Sequence, residues 1–74
     1  MRRYFFDIKL SNAVEDEEGI VLPNLEAVQR EALRTLADMA KELIEFPASM
    51  SVQVRDDAGS VMGARIVFEI ERTN

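Results

Sequence analysis

Apolar residues recur every three or four positions through Leu25, Val28, Ala32, Leu36, Met39 and Leu43. At about 100° per residue they fall on one stripe of a helix. Asn24 is suited to cap its first turn, Glu26 complements the helix dipole there, and Pro47 stops the helix directly after Phe46. The pattern therefore predicts a helix over Asn24–Phe46. On either side the period drops to two. From Arg3 to Leu10 the residues Tyr4, Phe6, Ile8 and Leu10 point one way and Arg3, Phe5, Asp7 and Lys9 the other, as in a half-buried strand.

Ser11-Asn12-Ala13 breaks the first strand, and the acidic run Glu15-Asp16-Glu17-Glu18-Gly19 leads into Ile20-Val21-Leu22, a short second strand near Gly19–Leu22 that returns antiparallel and ends at Pro23. After the helix, Met50, Val52 and Val54 alternate with Ser51, Gln53 and Arg55 in a third strand. Asp56-Asp57-Ala58-Gly59-Ser60 forms a hairpin connection in which Gly59 takes a positive φ. The fourth strand, Val61–Glu71, turns Met62, Ala64, Ile66, Phe68 and Ile70 inward, with Gly63 marking a bulge. The fold class is α+β: β-β-α-β-β in a single domain, an antiparallel-rich four-stranded sheet with one helix packed on one face.

Two apolar features exceed what that fold needs. Leu33, Ala37, Ala40 and Ile44 form a second row beside the helical stripe, and Phe5 and Val67 interrupt the polar outer face of the sheet. Both are candidate surfaces for self-association or a partner. Size strengthens the first option. A core in a chain of 74 residues seldom supplies more than about 3–5 kcal/mol without a staple, and here there is no Cys for a disulfide and neither Cys nor His for a structural zinc. Oligomerisation, or an unusually good core, is the remaining source of stability.

Charge narrows the partners. Fourteen acidic and nine basic residues give a net charge of −5, which repels phosphate backbones and suits a basic protein better than nucleic acid. No run approaches the roughly 20 apolar residues of a membrane span. Met1-Arg2-Arg3 leads into alternation instead of a signal-peptide core. A soluble cytoplasmic protein is expected.

Candidate chemistry is sparse. Asp16, Glu17 and Glu18, joined by Asp7 or Asp57, would offer hard oxygen ligands to Mg²⁺ or Ca²⁺, yet their spacing matches no calcium loop, and such a turn also serves to solvate an edge. Tyr4-Phe5-Phe6 beside Arg2 and Arg3 is similar to a base-stacking strand, but alternation leaves only Phe5 outward. Ser11, Ser49, Ser51 and Ser60 lack an evident base, and no glycine-rich loop opens the helix. No catalytic, cofactor or metal residue is assigned.

Arg3-Tyr4-Phe5-Phe6-Asp7, Asp16-Glu17-Glu18-Gly19, the helix entry Leu22-Pro23-Asn24-Leu25-Glu26-Ala27 with Glu31-Ala32-Leu33, and Val54-Arg55-Asp56-Asp57-Ala58-Gly59 together resemble an uncharacterised family of short bacterial proteins. That family is known chiefly as a domain of unknown function, so the resemblance implies a fold without an activity. A looser similarity, carried by Leu22-Pro23-Asn24-Leu25 and Glu31-Ala32, runs to antitoxins of the HicB type and implies inhibition of a small basic toxin. The leading expectation is a non-enzymatic interaction or regulatory module that forms a homodimer. The alternatives are a HicB-like antitoxin bound to a basic protein and a carboxylate-dependent metal-binding module.

Overall fold

The computed structural model describes residues 1–10, 12–42 and 49–73. Its elements run β1 (Arg2–Lys9), β2 (Ala13–Val14), β3 (Ile20–Leu22), α1 (Leu25–Lys41), β4 (Ser49–Asp56) and β5 (Gly59–Val67). The fold is α+β, with an antiparallel sheet of five strands instead of four, ordered β2-β1-β4-β5 with β3 also on β1. The additional strand is Ala13–Val14, which lies opposite Ile8 and Lys9. Two residues flanked by turn formers carry no periodic signal, so this strand exists only because β1 offers an edge to pair with. β2 and β3 thus share one edge of β1, at its far and near ends respectively.

Alternation sets the inner face as expected. Tyr4, Phe6, Met50, Val52 and Val54 are buried against Val28, Ala32 and Leu36 of α1, with Ile8, Met39, Met62, Ala64, Ile66 and Phe68 partly buried around them. Asn24 caps α1 by accepting a hydrogen bond from the Ala27 amide, and its extended backbone stops the helix from starting earlier. At the other end the Glu42 amide bonds back to Met39 and Ala40. The segment 43–48, which carries Leu43, Ile44, Phe46 and the predicted stop at Pro47, lies outside the described residues.

Four expectations change. Leu25 belongs to the predicted stripe but is 55% exposed, because it sits in the first turn, beyond the reach of the sheet. Leu10 falls past the end of β1 and is exposed. β5 ends at Val67, so Ile70 is 72% exposed and not inward. The bulge is at Val61, between the pairs Val54↔Met62 and Arg55↔Ser60, while Gly63 pairs regularly with Gln53. Gly63 serves a different purpose: a Cβ there would lie 2.5 Å from the Gln53 amide nitrogen, so its hydrogen makes room for the cross-strand glutamine. Gly59 takes φ +128° in the β4–β5 turn, as expected of this position.

Candidate functional site

The outer face of the sheet is organised around Arg55. Cross-strand pairing sets it opposite Phe5, and its guanidinium lies over that ring, 4.6 Å from the centroid. From there Nε donates to Asp7 Oδ2 at 2.8 Å, and Nη2 donates to the Asp16 carbonyl at 2.9 Å with Glu15 Oε1 3.6 Å away. One side chain therefore ties β4 to β1 and both to the acidic loop. The Asp7 pairing is a two-point contact, its second arm Nη2 to Oδ1 at 3.4 Å.

Asp16 completes the arrangement from the loop side. β2 and β3 leave a gap along β1 between Tyr4 and Ile8, and there the Phe6 amide donates to Asp16 Oδ2 at 3.1 Å. A carboxylate thus takes a ladder hydrogen bond that no strand supplies. Its other oxygen, Oδ1, accepts from the Glu18 and Gly19 amides at 3.1 and 3.2 Å, an Asx turn that curls the acidic run. The Asp16 amide in turn donates to Asp7 Oδ1 at 2.9 Å, and Arg3 Nη1 donates to the Glu18 carbonyl at 2.7 Å.

Burial pushes the Asp16 carboxyl up, but the Phe6, Gly19 and Glu18 amides and the Arg55 charge outweigh it and hold the group below the usual carboxylate range. Asp7 follows the same balance: burial raises it, and the Arg55 hydrogen bond and the Asp16 amide bring it down. Both acids are ionised at neutral pH with their oxygens engaged inside the chain. Among the described residues no group of His, Cys, Asp or Glu is placed to hold a metal. Glu17, Glu18 and Asp57 point to solvent as exposed residues.

Gly19 is the hinge of this loop. Its φ of +73° and the close approach of Arg3, the Tyr4 carbonyl and Phe5, each 2.9–3.0 Å from where a Cβ would stand, leave no space for a side chain. Gly19→Ala is expected to lower stability by about 1–3 kcal/mol, read as a lower urea midpoint at an unchanged denaturant slope. A neutral result would show that the loop shifts freely.

The other acidic feature is a cleft of about 550 Å³ on the helix side, floored by Phe6, Ile8, Val14 and Ile20, walled by Thr35 and rimmed by residues 15–19. It opens because α1 packs over β4 and β5 and only touches β3, so Val14 remains 62% exposed.

The candidate interface residues separate in space. Leu33 is 54% exposed and Ala37 is exposed beside it, whereas Ala40 is half-buried against the core and Ile44 lies outside the described residues. Phe5 is half-buried beneath Arg55. Val67 is exposed, but it pairs with Ser49 while Phe5 pairs with Arg55. Six residues of β4 therefore separate the two, about 20 Å, and they form no common patch. Sequence reasoning weighed Asp16 as a cation ligand and not as a backbone cap, and gave Arg55 no role. The Asp-x-x-Gly spacing of an Asx turn was a usable signal for Asp16; Arg55 had none, since its role depends on which residue lies opposite.

No curated protein and no solved structure is significantly similar to the chain. A family model does match, over residues 3–70. That span takes in Arg3, Asp7, Asp16, Gly19 and Arg55, the residues that fasten the acidic loop to the sheet. The chain belongs to the family described as Domain of unknown function (DUF6894).

Proposed function

We propose that this chain is a non-enzymatic, cytoplasmic interaction module that works as a homodimer. The observation that carries the reading is the apolar flank of α1, where Leu33 stands 54% exposed over a core of eight buried residues among those described. A folded chain of this size gains most from covering such a flank with a second copy. The hydrogen bonds that join Asp7, Asp16 and Arg55 to one another and to the backbone support a structural use of these charged residues.

Native mass spectrometry of untagged protein is expected to show a dimer. Leu33→Glu, which sets an unpaired charge in the contact, is expected to weaken it by about 2 kcal/mol, roughly thirty-fold in dissociation constant. An undiminished dimer in that variant would move the interface off the helix.

A second reading, inhibition of a small basic protein in the manner of the HicB antitoxins, is favoured by the acidic rim of the cleft beside β2. In the same spectra it would appear as a retained basic subunit that is shed as salt rises, because screening weakens exposed ion pairs.

A further inference from the structure

We infer that two copies join through their β5 strands, paired antiparallel about a two-fold axis normal to the sheet, so that two sheets become one and both helices lie side by side on the same face. The inference rests on the self-association proposed above and identifies its surface.

The two edges of the sheet differ in kind. The outer edge of β1 is covered at both ends by β2 and β3 and between them by the Asp16 carboxylate. β5 pairs with β4 alone among the described residues. It runs nine residues, Gly59–Val67, with no Pro, no Lys and no inward charge, and its one irregularity is the bulge at Val61 near the hairpin. Edge strands that stay single normally carry such guards, because their free N–H and C=O groups template another strand.

The core also thins toward this edge. Met50, Val52 and Val54 of β4 are sealed at 0–1% exposure, while Met62, Ala64 and Ile66, in register with them on β5, are only partly covered. Thr35 faces the cleft on the β1 side, and Leu33 lies about 160° around the helix from it. The exposed Leu33–Ala37 flank therefore lies on the side of α1 turned away from β1. Unpaired backbone and uncovered apolar side chains share one side of the molecule.

A second copy fits that side better than any other occupant. A two-fold axis normal to the sheet makes the strand contact self-complementary and brings each apolar helix flank against its equivalent. The strip is about 30 Å long for nine residues, and a sheet with one helix of about 10 Å diameter laid on it is on the order of 20 Å deep, so the strip projects on the order of 600 Å², approaching the roughly 800 Å² of accessible surface per partner in stable complexes. Charge agrees. Each copy carries −5, but the acidic run Glu15–Glu18 belongs to the opposite edge, and Arg65 is the one charged residue in β5. The arrangement keeps the two acidic loops as far apart as the sheet allows.

Amide hydrogen exchange on the unmodified chain, at concentrations above and below dimer dissociation, tests this. Outward amides of β5 should gain at least about tenfold protection on association, with the β2 and β3 amides unchanged. A dimer by mass whose added protection falls elsewhere, on α1 alone or on the β2 and β3 edge, overturns the β5 pairing and leaves self-association standing. A monomer at every concentration overturns both.

Discussion

Leu36→Ala is expected to cost about 2–5 kcal/mol and to leave much of the chain unfolded at 25 °C. Leu36 is 1% exposed and is the largest fully buried side chain, set between α1 and the sealed face of β4. Truncating it removes the transfer free energy of its methyl groups and opens a cavity that the surrounding β-branched valines fill poorly. In a domain of this size the whole margin is about 3–5 kcal/mol, so one side chain rivals the total. Urea unfolding followed by circular dichroism measures the loss, with Leu33→Ala as control. That residue is exposed, and its truncation in dilute solution is expected to stay within about 0.5 kcal/mol. Equal losses in both variants would mean that α1 is rotated from the orientation described.

Asp16→Ala carries the second-largest expected effect, about 2–4 kcal/mol. Three amides, those of Phe6, Glu18 and Gly19, lose a charged acceptor at once. The Phe6 amide faces the gap between β2 and β3, where no strand replaces it. The same group makes the fold acid-sensitive, with a sign that follows from its shift. Its carboxyl sits below the ordinary 3.8 in the folded chain, so the unfolded chain takes up the proton first as pH falls. The stabilisation is complete above the unfolded value and is lost as pH drops through the folded one. Asp7, lowered by the Arg55 hydrogen bond and the Asp16 amide against the cost of burial, adds in the same direction. Stability measured from pH 6 to 2 should decline steeply below about pH 4 in the parent chain and less steeply in Asp16→Ala. Identical slopes would assign acid sensitivity to other carboxylates.

The charged residues around Arg55 are engaged with one another. Arg3, Asp7, Asp16, Gly19 and Arg55 are spent on one another: a guanidinium on two carboxylate oxygens and a carbonyl, a carboxylate on three amides, a glycine on a passage too narrow for a methyl group. Together they hold a loop of like charges against a strand edge that would otherwise be open. They secure the edge at β1, whereas β5 pairs with β4 alone among the described residues.

The chain's own pattern determined the helix, its Asn24 cap, the inward faces of β1, β4 and β5 and the positive φ of Gly59, because each depends on neighbours within a few residues. A disulfide staple was excluded by composition, since the chain has no Cys. What needed the tertiary structure was every property set by pairing between distant segments. β2 is a strand only because β1 lies beside it. Phe5 appeared to be a bare apolar spot until register placed Arg55 over it, 50 positions along the chain. The acidic run read as solvated charge, yet one of its members, Asp16, supplies a missing rung of the sheet. Leu25 and Met39 share the predicted stripe, and only the position of the sheet beneath the helix decided that one is covered and the other not. Local periodicity encodes which face of an element is apolar; the offset between elements, which decides what that face meets, is a sum of many weak contacts that no single segment displays.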